Sequence, residues 1–147
     1  MISCTKRFDN LPFAHRQPEH KGHCSLIHGH NWSFEFEFRA VALDGNGFVL
    51  DFGSLAWLKT WLDFNFDHTL VLNSDDPYAG ILQNTLLNGP KILAQIRFVP
   101  NCGAEGLAQF VHSMVRETIV DKTAGRVRLH RVTVFEDNRN SATYIAE

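Results

Sequence analysis

The chain is predicted to fold as an α+β domain on an antiparallel sheet, and three observations predict it. Residues Trp32 to Arg39 alternate apolar and polar, two segments recur at helical spacing, and strand-like segments stand at both ends of the chain with the helices between them. With 147 residues the chain is long enough for one domain with a buried core, and no repeat or linker divides residues 1–147.

The elements follow in order. Trp32, Phe34, Phe36 and Phe38 alternate with Ser33, Glu35, Glu37 and Arg39, the period-2 pattern of a half-buried strand. Counting back by twos from Trp32 reaches His30 and then His28, so an extended backbone would place both imidazoles on the buried face. Asp44-Gly-Asn-Gly47 is a turn signal, expected to fold Phe48-Val-Leu50 back as the second arm of a hairpin. Ser54 suits an N-cap, and Leu55, Leu58, Trp61 and Leu62 predict an amphipathic helix ending near Asp63 to Phe66. Asp67-His68 follows in the connection beyond that helix. Asp75-Asp76-Pro77 opens a short helix that stops near Asn88-Gly89-Pro90, and Lys91 to Val99 is expected as a strand. Gly103 to Lys122 carries the second main helix, with Leu107, Phe110, Val111, Met114 and Val115 on one side. Val127 to Phe135 and Ala142 to Ala146 close the chain as two strands joined by the polar turn 137–140.

Composition narrows the function. The chain is 44% hydrophobic and 20% charged with a net charge of -2, and its fourteen Lys and Arg are scattered, which excludes a nucleic-acid partner. No apolar run approaches the ~20 residues of a membrane helix. The first residues, Met1 to Phe8, lack the apolar core of a signal peptide. Cys4, Cys24 and Cys102 are an odd number without framework spacing, so free thiols in a reducing cytoplasm are expected. Twelve Phe and three Trp point to core and interface packing.

The chemistry concentrates in one stretch. Five of the eight histidines (His15, His20, His23, His28 and His30) fall there, with Cys24 among them. Neutral imidazole is the commonest ligand for a divalent metal. A third histidine beside His28 and His30 would complete the three-ligand, one-open-position set of a catalytic zinc site. His20 and His23 lie in a loop rich in Pro, Glu, Lys and Gly and are read as solvated. Cys24 is open to three roles: a buried inert thiol, a fourth ligand, or a thiolate acting as base or nucleophile beside the metal. Asp67 and His68, as adjacent residues, can cooperate only on a bend. Asp51 is either an acceptor orienting a ligand imidazole or a helix-approach residue. Glu136 ends an apolar strand, where an acid is ordinarily solvated.

Taken together these positions resemble a known family. His15, then Cys24-x-x-x-His28-Gly-His30, Val-Leu-Asp51-Phe, Asp67-His68-x-x-Leu-x-Asn73, and Glu136 followed by Ala142-x-Tyr144 are similar to the 6-pyruvoyl-tetrahydropterin synthase family over nearly the whole chain. The Cys-three-residues-His-Gly-His spacing resembles its 6-carboxy-tetrahydropterin synthase branch, which makes a precursor of the tRNA base queuosine. The resemblance implies the tunnelling fold: a four-stranded antiparallel sheet with two helices on one face, three sheets closing a barrel, and two barrels stacking into a homohexamer. It implies Zn²⁺ on His15, His28 and His30, Cys24 as the proton-abstracting base, and His68 oriented by Asp67 as a proton relay. Glu136 would grip the pterin amino and ring N–H groups, with Glu105 as a further substrate contact. In that branch 7,8-dihydroneopterin triphosphate loses triphosphate and acetaldehyde to leave 6-carboxy-tetrahydropterin.

Two departures stand out. Family members usually carry a Thr or Ser pair before the glutamate opening the second helix, whereas this chain has Gly103-Ala104 before Glu105. The stretch Ser74 to Val99 is longer than the pattern expects. The nearest rivals are 6-pyruvoyl-tetrahydropterin synthase or aldolase-type activity on the same fold. From another class comes a zinc-stabilised binding module with Cys24 as fourth ligand.

Overall fold

The computed structural model describes all 147 residues. Six strands form one sheet: β1 (Ile2–His15), β2 (His28–Ala40), β3 (Leu70–Asn73), β4 (Ile96–Val99), β5 (Val127–Phe135) and β6 (Ser141–Ile145). Three α-helices connect them: α1 (Ala56–Phe66), α2 (Ala79–Asn88) and α3 (Ala104–Lys122). The sheet order is β4-β3-β1-β2-β5-β6. Its β1-β2-β5-β6 portion is antiparallel, matching the expected four strands. Beyond β1, the short β3 and β4 add in parallel, with α2 as the crossover between them. The four strands and two helices that the resemblance implies are six and three here, with α2 and β4 falling where the sequence itself predicts a short helix and a strand.

The core lies on one face of this sheet. Trp32, Phe34, Phe36 and Phe38 of β2 are fully buried, each worth about 1.5–3 kcal/mol of apolar transfer. Leu58, Leu62 and Phe66 of α1 and Leu107, Val111, Val115 and Ile119 of α3 join the same core cluster, each row at four-residue spacing. Met114 points to solvent instead. No residue of α2 is buried.

Three local expectations change. Phe48–Leu50 forms no strand: β2 already pairs with β1 on one edge and β5 on the other, so no edge is left for it. Val49 and Leu50 instead bury in the core, and Arg126 Nη2 donates to Val49 O at 2.7 Å. The cap ahead of α1 is Asp51, not Ser54. Asp51 Oδ1 accepts from Gly53 N–H at 2.9 Å, opening a 3-10 turn over Phe52–Leu55. Asp51 is thus the helix-approach residue, its carboxylate bonded to the Gly53 N–H and its carbonyl to the Ser54 hydroxyl. Lastly, only Ile96–Val99 of the 91–99 stretch is strand.

A bulge in β1 decides which way His15 faces. Phe8 points into the core, yet so do Leu11, Phe13 and His15, which have the opposite parity. The register shifts between Phe8 and Leu11, where Asn10 adopts a left-handed φ of 59°. That extra residue flips the alternation, and without it His15 would face away from the core.

Candidate metal centre and adjoining cavity

His15 pairs directly with His28 across the β1–β2 ladder, and His30 pairs with Phe13. All three histidines therefore leave the same face of the sheet, as the phase with Trp32 predicts. Trp32 floors the group, its ring edge-on to His15 and His30 at 4.9 and 5.2 Å, and its indole N–H donates to Phe13 O at 3.0 Å. Phe13 stacks on that indole at 4.4 Å. Paired strands and packed aromatics hold the imidazoles on a rigid base.

Backbone carbonyls fix the tautomers. His15 Nδ1–H donates to Cys102 O at 2.7 Å and His28 Nδ1–H to Leu26 O at 2.6 Å, so each Nε2 carries a free lone pair. The Nε2 atoms of His15 and His28 stand 3.1 Å apart, and the three ligand atoms lie within 4.8 Å of one another. A tetrahedral metal with nitrogen ligands at about 2.0–2.1 Å has ligand–ligand edges of about 3.3 Å. His30 Nε2 is buried and has no hydrogen-bond partner. Lone pairs converging with no proton between them, plus an orphaned buried nitrogen, fit a bound cation; three histidines could hold a metal ion here. Burial pushes the His15 imidazole down to about 4, with the neighbouring His28 and His30 adding to the fall and the Cys102 carbonyl opposing it. The ring is thus kept neutral, as a ligand must be.

The Cys102 carbonyl is itself placed by Asn73, whose Oδ1 accepts the Cys102 N–H at 2.8 Å. Sequence reading missed this support, because a backbone carbonyl carries no residue signal.

Beside the triad is a cavity of about 140 Å³ lined by His15, Gln17, Cys24, Glu105, Glu136 and the Gly103–Ala104 backbone. Cys24 sits in a 3-10 turn over His23–Ser25, exposed, and its thiol is not among the converging ligand atoms. Glu136 follows the last residue of β5, and its Oε1 is 3.5 Å from Nε2 of both His15 and His30. Glu105 lies in the first turn of α3. Gln17 is a lining residue that sequence reading did not single out.

Asp67 and His68 do meet on a bend. His68 takes a left-handed φ of 52°, which turns its ring back so that Nδ1–H donates to Asp67 Oδ1 at 2.7 Å. The pair is open to solvent, the His68 side chain 77% exposed. It does not line the cavity. His20 and His23 stay outside the triad, His20 Nδ1 accepting from Gly22 N–H.

The fold and this three-histidine site define a class, and comparison with known proteins agrees. Solved structures with the same fold include an uncharacterized protein of Wolinella succinogenes (TM-score 0.85, 19% identity, 99% of this chain and 98% of that one). A catalytic-residue variant of Plasmodium vivax 6-pyruvoyltetrahydropterin synthase also matches (TM-score 0.69, 17% identity, 100% and 99%). This is the tunnelling fold expected from the sequence. The 6-pyruvoyl tetrahydropterin synthase family profile matches residues 3–147, and the chain belongs to that family.

Among curated relatives, the 6-carboxy-5,6,7,8-tetrahydropterin synthase of Rickettsia typhi is 43% identical over 81 residues, 54% of this chain. That match spans only 58% of the rickettsial protein's length. A putative 6-carboxy-5,6,7,8-tetrahydropterin synthase of Pyrococcus abyssi is 30% identical over 96% of this chain and 87% of its own.

Proposed function

We infer that the protein is a zinc-dependent carbon–oxygen lyase. It converts 7,8-dihydroneopterin triphosphate to 6-carboxy-5,6,7,8-tetrahydropterin with release of acetaldehyde and triphosphate, a step toward queuosine. The observation that carries this reading is the convergence of His15, His28 and His30 beside a cavity walled by a thiol and two carboxylates. The names of the curated relatives support the 6-carboxy branch.

His15, His28 and His30 would hold Zn²⁺, which when bound supplies Lewis acidity toward side-chain hydroxyls of the substrate. Cys24, on the same cavity and outside the ligand set, takes the proton from the adjacent side-chain carbon. His68, its Nδ1 held by Asp67, relays protons through Nε2. Its outward position suits a site shared between subunits, where it would reach the Cys24 of a neighbour. Glu136 and Glu105 accept hydrogen bonds from the pterin amino and ring N–H groups and fix the ring's orientation. The working form is a homohexamer, a dimer of trimers, in the cytoplasm. Pairing of the β4 and β6 edges with other copies would close edges that one chain leaves open.

Incubating the zinc-loaded protein with dihydroneopterin triphosphate and identifying the products tests the reading. Acetaldehyde and 6-carboxy-tetrahydropterin are expected. Triphosphate release without acetaldehyde would move the protein to the 6-pyruvoyl branch, and no turnover with metal retained would favour a binding module.

A further inference from the structure

Gly103 is a glycine for a reason its backbone does not supply. Its φ of -71° and ψ of 166° are open to any residue. What sets it apart is the space beside it, which the end of the Gln17 side chain fills. A Cβ built on Gly103 would overlap the carboxamide nitrogen of Gln17, and would lie 3.2 Å from Asn101 Oδ1 and 3.4 Å from Glu105 Oε2. A side chain at 103 would require that flexible carboxamide to move out of the position it now holds.

Gln17 is also well placed to act. It lies two residues past His15, just beyond the end of β1, and its backbone N–H donates to Cys24 O at 2.7 Å. That bond fastens the segment carrying the carboxamide to the turn carrying the thiol. Both line the cavity next to the metal triad. A carboxamide offers two donor hydrogens and a carbonyl acceptor on one plane. The edge of a pterin ring presents the same alternation of N–H and carbonyl groups.

We propose that Gln17 is a substrate-binding residue that serves in place of the hydroxyls absent at 103 and 104, and that Gly103 exists to admit it. This rests on the pterin reading of the cavity. Residues 17 and 103 then form one unit, because a side chain at 103 and the carboxamide compete for the same space. A planar donor–acceptor group fixes ring rotation relative to Cys24 more tightly than a single hydroxyl.

Binding of neopterin to the zinc-loaded protein, followed by its fluorescence, tests this on four chains: unaltered, Gln17→Leu, Gly103→Thr, and the Gln17→Ala/Gly103→Thr pair. Gln17→Leu keeps the volume and should weaken neopterin about tenfold. Its zinc content should stay unchanged, and in turnover KM should rise far more than kcat falls. Gly103→Thr alone should also weaken binding, by displacing the carboxamide. The double variant should recover to within about threefold of the unaltered chain. If Gly103→Thr does not load zinc, Gly103→Ser, with its smaller side chain, replaces it in both chains. Equal neopterin affinity in Gln17→Leu, or a double variant no tighter than the threonine variant alone, overturns the assignment of Gln17. An unaltered chain that binds no neopterin overturns the pterin reading, and this inference with it.

Discussion

The three-histidine triad and the Asp67–His68 pair use the same side chain in opposite surroundings. His15 is 2% exposed, on a strand locked into its ladder and aimed by a bulge at Asn10. His68 is on a left-handed bend after α1, with one side-chain hydrogen bond and its ring in solvent. The contrast teaches where each group gets its precision. The triad is rigid within one chain and is built to hold a fixed geometry. The pair is oriented but uncovered, as a group would be whose partner arrives from outside.

The largest effect should come from breaking the triad itself. His30→Ala removes the one imidazole of the triad whose buried Nε2 has no hydrogen-bond partner in the chain. Losing a partner outside the ligand shell costs about 10–100-fold in metal affinity, so losing a ligand should exceed that. Turnover should vanish, and metal analysis after gel filtration should find the variant largely empty. Zinc retained at full stoichiometry would show that the triad is not the metal site.

Cys24→Ala comes next. The thiol lies on the cavity but outside the converging ligand atoms. Zinc content and melting should stay as in the unaltered chain while kcat falls by about 10²–10⁴, the range of a lost general base. Loss of zinc in this variant would instead make Cys24 a ligand and favour the binding-module reading.

What was legible in the sequence divides along the same line. The phase of His28 and His30 with Trp32 could be read because alternation is a property of the chain alone. The Asn10 bulge could not, since Phe8 and Leu11 report two phases and only pairing with β2 reconciles them. β3 went unread and β4 was read only within the longer stretch 91–99, because both are four-residue parallel strands whose pairing depends on a crossover through α2 and no local period bounds them. The false strand at Phe48–Leu50 has the same cause, because the taken edges of β2 are a non-local fact. In the site, ligand types were visible and their supports were not. The carbonyls of Cys102 and Leu26 belong to no motif, and Glu136 comes beside His15 and His30 only through the register of β5 on β2. Gly103-Ala104 was visible as a departure, but only the packed Gln17 carboxamide gives it a meaning.

Burial of His15 has a consequence in the metal-free protein. Its folded pKa of about 4 lies below the ordinary 6.5, so between those values the unfolded chain binds more protons than the folded one. The contribution is fully present above pH 6.5 and is lost as the pH falls to 4, amounting to about 3 kcal/mol, or roughly 150-fold in the folding constant. Buried His112, also lowered chiefly by desolvation, adds a loss of the same sign. Urea unfolding of the chelator-treated protein at pH 7 and pH 4.5 should record it, and His15→Gln should shrink the difference. An unchanged pH slope in that variant would mean His15 is not held neutral by burial.

The smallest effect expected, Asp67→Asn, asks whether a neighbouring copy covers the exposed pair, as the proposed assembly requires. An asparagine keeps the shape, but its amide can donate to Nδ1 and hold the imidazole in the wrong tautomer. In a fully buried triad that exchange costs about 10⁴ in kcat. In a solvated pair the interaction is worth ~1 kcal/mol or less, a factor below ten. One chain leaves Asp67 44% exposed, while a neighbouring subunit would cover it, so kcat should fall about a hundredfold, between those limits. Metal content should not change, because neither residue of the pair belongs to the converging ligand set. A loss below tenfold would mean that Asp67 stays in water during turnover. The relay would then have to work without a second chain over it, and the shared-site arrangement would fall while the triad and Cys24 kept their assignments.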